Sequence, residues 1–127
     1  MEGYEAKVTF VSKKDISAKD KIRLKDTNNA ISLDAATAEA PLILAPDYYA
    51  VVDVHNEKSE DKNYKKYVIV DKEGNKYVTG SESFISAFRE IADDMASEAP
   101  DEEYVIQVFR KESANYKGKT FITCALI

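Results

Sequence analysis

A chain of 127 residues, 44% hydrophobic and 32% charged, is long enough for one real core and too short for two independent ones, so a single domain over residues 1–127 is expected. No run approaches the roughly 18 apolar residues of a membrane span, and the N-terminus lacks the basic start and apolar run of a secretory signal. The one cysteine, Cys124, excludes an internal disulfide and argues against a cysteine-based zinc site, which points to a cytoplasmic, reducing location.

In chain order, residues 4–12 alternate, with Tyr4, Ala6, Val8 and Phe10 on one side and Glu5, Lys7 and Thr9 on the other, which is strand periodicity. After a Lys-rich turn, Ile22-Arg23-Leu24-Lys25 reads as more strand, and residues 4–25 as one long bent strand. Residues 26–29 are a turn cluster. The Ala-rich run 35–40 allows a short helix or an irregular loop, and Pro41 and Pro46 break anything longer. Residues 48–56 are β-rich, 57–63 are a charged connection, and 64–71 form a strand. Lys72-Glu73-Gly74-Asn75 then supplies the residues of a tight turn into 76–79.

Gly80-Ser81 opens the one long helix, residues 82–97, capped by Ser81 or Ser83 and ended by Pro100. Phe84, Phe88, Ile91 and Met95 fall on one stripe at helical spacing and form its core face. Two strands, 104–111 and 120–127, close the chain around a polar loop. The expected fold is therefore mainly β with one α-helix. Strands one to three, a helix, then strands four and five is the order of the oligonucleotide-binding (OB) fold, a five-stranded Greek-key barrel with its helix between strands 3 and 4. Residues 26–47 would be an insertion in it.

The formal net charge is −5, but it is unevenly spread. Residues 7–25 hold seven Lys/Arg against two Asp/Glu, residues 62–77 five against two, and residues 104–127 four against one. The intervening blocks, 26–61 and 82–103, each hold one against eight. If the basic blocks share a face, that face attracts phosphate while the rest repels it.

Catalysis has little to stand on. His55 is the only histidine, and a lone histidine at a strand end is more often structural than a catalytic base. Cys124 lies in an apolar strand with no positive neighbour to activate it. Glu60-Asp61, Asp93-Asp94 and Asp101-Glu102-Glu103 match no calcium loop, and no phosphate-cradling glycine loop exists. No enzyme and no cofactor are expected.

Binding has more support, because rings interleave with cations: Lys62, Tyr64, Lys65, Lys66 and Tyr67 in one block, and Phe109, Arg110, Lys111, Tyr116, Lys117 and Lys119 in the other, with Phe121 beside it. Cations follow a phosphate backbone while flat rings stack on unpaired bases, the chemistry of sequence-tolerant single-strand binding. Tyr64, Tyr67, Phe109 and Tyr116 are the stacking candidates.

The chain resembles the single-stranded DNA-binding proteins encoded by tailed phages of Gram-positive hosts. The resemblance is carried by residues 56–61 (Asn-Glu-Lys-Ser-Glu-Asp), 67–70, the turn 71–77 and Gly80-Ser81-Glu82-Ser83-Phe84. It ends with Phe109-Arg110-Lys111, residues 115–119 and the closing strand Phe121-Ile122-Thr123-Cys124. It implies an OB-like, non-enzymatic protein of the host cytoplasm that coats single strands during phage DNA replication or recombination. Its partners would be single-stranded DNA and phage replication or recombination proteins, with a homo-oligomer left open. The alternative is an acidic protein-interaction module, a phage structural or DNA-mimic inhibitor protein, working through residues 26–61 and 82–103.

Overall fold

The computed structural model describes residues 3–26, 29–113 and 118–127. The chain forms two compact units, one of residues 1–31 and 47–80, the other of residues 32–46 and 81–127. It is mainly β with one long helix, as its periodicities require.

The first unit holds β1 (Tyr4–Val11), α1 (Ala18–Lys25), β2 (Ile31–Ser32, whose second residue belongs to the other unit), and, after the interruption, β4 (Pro46–Asn56), β5 (Asn63–Asp71) and β6 (Lys76–Thr79). Its sheet runs β1-β4-β5-β6-β2. β1 lies antiparallel to β4 from Tyr4↔Asn56 to Val11↔Ala50, with a shift between Val8 and Phe10. That irregularity resets the alternation. Tyr4, Ala6, Val8 and Val11 pack on the core of Leu24, Ala50, Val52, Val54 and Val68, while Phe10 is left 42% exposed.

Residues 18–25 are helical, which corrects the long bent first strand. The cause is local: Ser17 Oγ accepts the Asp20 N–H (3.1 Å), Asp20 pairs with Arg23 one turn on, and Ala, Leu, Lys and Arg are good helix formers. The helix buries only Leu24, and its C-terminal end is held by Lys76, whose ammonium donates to the carbonyls of Arg23 and Asp26.

The second unit holds α2 (Leu33–Ala36), β3 (Leu42–Leu44), α3 (Glu82–Glu98), β7 (Ile106–Glu112) and β8 (Thr120–Leu126). Its sheet runs β3-β7-β8, antiparallel throughout. Ser32 caps α2 through the Ala35 N–H, so that of the Ala-rich run 35–40 only Ala35 and Ala36 are helical and residues 37–40 are turn and bend. Ser81 caps α3 through the Phe84 N–H at 3.2 Å, and Ser83 Oγ donates to the Ile122 carbonyl of β8 at 2.9 Å. Phe84, Ile85 and Phe88 of α3 are buried, as are Ile106 and Val108 of β7 and Ile122 and Cys124 of β8. The two phenylalanine rings stack at 5.7 Å.

The strands form two open sheets, and the long helix follows the sixth strand, not the third. The five-stranded barrel order therefore does not describe the chain. Residues 18–25 leave the first strand, and residues 31–32, 42–44 and 76–79 each add a strand of their own. No described helix is long and apolar enough to cross a membrane.

Candidate nucleic-acid interface

In the second unit the β7–β8 register sets Phe109 opposite Thr123 and Lys111 opposite Phe121. Alternation puts Gln107, Phe109 and Lys111 on one face with Phe121, Thr123 and Ala125, and the β3 register adds Ile43. Buried Ile106, Val108, Ile122 and Cys124 occupy the other face. Phe109 and Phe121 are thus diagonal neighbours, half-buried, with Lys111 exposed between them and Ile43 61% exposed at the far end. Diagonal pairs of this kind lie about 7–8 Å apart.

Arg110 projects from the opposite parity. Its guanidinium donates to the Asp34 carbonyl at 2.6 Å and to Thr120 Oγ1 at 3.2 Å, so it does not share the Phe109 face. Lys119 is exposed. Tyr116 and Lys117 lie outside the described residues.

In the first unit, β5 and the connection before it carry the other candidates. Lys62 is exposed and pairs with Glu57 at 3.5 Å, Lys65 is exposed, and Lys66 is half-buried. Tyr64 is half-buried against the core. Tyr67 is only 4% exposed, so it is a core ring and not a stacking platform. β5 is buried on both faces here, Val68 on one side and Tyr67 and Ile69 on the other, and alternation cannot then mark an exposed side.

A groove of about 340 Å³ opens over β1, β4 and β5, lined by Glu5, Lys7, Asp53, Val54, His55, Asn63, Tyr64 and Lys65. His55 stands between two oxygens, with Nδ1 2.7 Å from Asn63 Oδ1 and Nε2 2.6 Å from Glu57 Oε1. The Asn63 hydrogen bond, then the Glu57 bond and charge, hold the imidazole pKa above its usual value, and the His55 bond holds the Glu57 carboxyl below its own. Of these lining residues, sequence reasoning had singled out only Tyr64, Lys65 and His55. The alternation in β1 was the available signal for Glu5 and Lys7.

A smaller cavity of about 280 Å³ lies beside α1, lined among others by Asp20, Arg23, Tyr48 and Lys76. Nearby, Asp47 pairs with both Lys13 (3.3 Å) and Lys72 (3.5 Å), and Lys13 stands 5.5 Å from the Tyr48 ring centre. Burial, then the charges of Asp20 and Asp47, raises the Tyr48 hydroxyl. Burial alone pushes the Cys124 thiol up to about 11, far from the thiolate a nucleophile needs.

The basic blocks 7–25 and 62–77 thus belong to the first unit and 104–127 to the second. No protein-family model, curated protein or solved structure matches this chain.

Proposed function

We propose that this protein binds single-stranded DNA without catalysis and with little dependence on sequence, serving phage DNA replication or recombination in the host cytoplasm. The supporting observation is the open face of the β3-β7-β8 sheet, where two half-exposed phenylalanine rings flank an exposed lysine. Bases have flat faces of every sequence to offer such rings, and each stacked base contributes about 1–3 kcal/mol. Lys111 and Lys119 in this unit, and Lys62, Lys65 and Lys66 in the other, supply attraction to phosphate. The reading keeps the OB fold's use of a β surface as a platform for bases, and does not depend on its strand order.

Titration of a labelled thymidine oligonucleotide by fluorescence anisotropy at two salt concentrations tests this. Binding should weaken steeply as salt rises, and the duplex of the same length should bind far more weakly. Absence of binding, or equal affinity for strand and duplex, overturns the proposal. An acidic interaction module is the competing reading, favoured by α3. Glu90, Asp93, Asp94 and Glu98 are all exposed on it, and among the described residues none of the four forms an ion pair. A protein of that kind would bind neither DNA.

A further inference from the structure

The groove over β1, β4 and β5 differs in chemistry from the aromatic sheet face, because it presents both signs of charge. Lys7 of β1 is the register partner of Asp53 in β4, and Glu5 is that of His55. On the other side of β4, the Asn56 N–H donates to the Lys62 carbonyl at 2.7 Å and the His55 ring meets Asn63. Carried on from there, the antiparallel ladder sets Lys65 beside Asp53. Two rows result: Lys7–Asp53–Lys65, and Glu5–His55–Asn63. Neighbouring strands are about 4.8 Å apart, so Asp53 has an ammonium within reach on either side. Yet among the described residues Lys7, Asp53 and Lys65 form no ion pair, and Asp53 accepts no side-chain hydrogen bond.

A carboxylate between two unengaged cations suits a ligand with the reverse pattern, N–H donors at its centre and anions at both ends. A bare phosphate would meet Asp53, and a simple cation would meet the lysines. A nucleotide within a strand has the required form, since its base edge can donate while the phosphates on either side are anionic. Resting on the single-strand reading above, we propose that this groove seats one unstacked guanine, its N1–H and N2–H donors on the Asp53 carboxylate and its flanking phosphates on Lys7 and Lys65. Guanine is the base that fits. A carboxylate only accepts, through two oxygens, and guanine presents two adjacent donors to match them. Thymine flanks its one N–H with carbonyl oxygens that the carboxylate repels, and cytosine and adenine set a bare ring nitrogen beside the amino group. A groove of about 340 Å³ lies in the range of small-ligand sites. His55, hydrogen-bonded to Glu57 and Asn63, forms one wall. The protein would then coat any strand but pause on guanine.

Anisotropy titrations with a thymidine tract, the same tract carrying one central guanine, and one carrying hypoxanthine (which lacks the N2 amino group) test the assignment. The guanine tract should bind about tenfold tighter than thymidine alone, with hypoxanthine between them. Asp53→Asn should cost the guanine tract its advantage and bring the three within about twofold of one another. Asp93→Asn, which deletes an exposed charge on α3, should leave the ratio intact. Lys7→Ala should weaken all three tracts and preserve the ratio. Equal, salt-sensitive binding of the three tracts by the native protein overturns the guanine site and leaves the single-strand reading standing, as does a ratio that survives in Asp53→Asn. Failure of every tract to bind removes both.

Discussion

The imidazole of His55 faces oxygens on both sides, Asn63 Oδ1 and Glu57 Oε1, and is satisfied on both only as the imidazolium. Its pKa is raised in the folded protein, so its contribution to stability is complete below the unfolded value near 6.5 and is lost as pH rises through the folded pKa. Glu57 has the opposite sign. Its carboxyl is lowered from 4.5, so its contribution is present above that value and lost as pH falls through the folded pKa. The pair is worth most between those limits. The melting-temperature difference between native protein and His55→Gln should peak in mildly acidic solution and shrink towards both alkaline and strongly acidic pH. A difference that does not vary with pH would mean the contact is absent in solution. At the sheet face, Phe121→Leu removes the flat ring but keeps apolar volume. It should weaken single-strand binding about tenfold, in line with the loss of one stacked base, while the melting temperature changes little.

Elements of this chain are set by short-range chemistry, and the β5–β6 hairpin illustrates it. The Asp71 carboxylate accepts the backbone N–H groups of Glu73 (3.0 Å) and Asn75 (2.8 Å), the Asn75 side-chain amide (3.1 Å) and the Tyr77 hydroxyl (3.4 Å). Gly74 supplies the positive φ, +87°, that the turn requires. Asp71 is nearly buried, so Asp71→Ala strands several donors at once and should cost about 2–3 kcal/mol in chemical denaturation. The residues of this turn, the cap as Ser81 or Ser83, and the helix stripe could be read directly because partners lie within a few positions, although of that stripe Phe84 and Phe88 are buried while Ile91 and Met95 are half-buried. At α1 the competing signals were also local. Ile22 and Leu24 suggested a strand, yet Ile22 is 66% exposed and the Ser17 cap with helix-forming neighbours decides for helix.

Over the whole molecule, the chain passes between its two units three times, at residues 31–32, 46–47 and 80–81. Neither unit is a continuous stretch, which is why a linear reading finds no boundary. The consequence is testable. Residues 81–127 alone lack Leu33 and Leu44, both buried in the same unit, and lack β3, one of the two strands that pair with β7. An isolated 81–127 fragment should therefore show little sheet signal by circular dichroism, and a well-folded fragment would mean the unit does not need residues 32–46.

The amino-acid order by itself determined a mainly β chain, the long capped helix, the tight turn at Lys72–Asn75, and the interleaving of lysines with rings, because each depends on periodicity or on partners a few residues away. Tertiary structure alone decided that Tyr67 is core while Phe109 and Phe121 share a half-exposed face. It also decided that Arg110 points to the other side, and that Lys7, Asp53 and Lys65, which are remote in sequence, stand in one row. Such outcomes depend on which strands pair, in what register, and what covers each face, and those are set by contacts across the fold that no local pattern encodes.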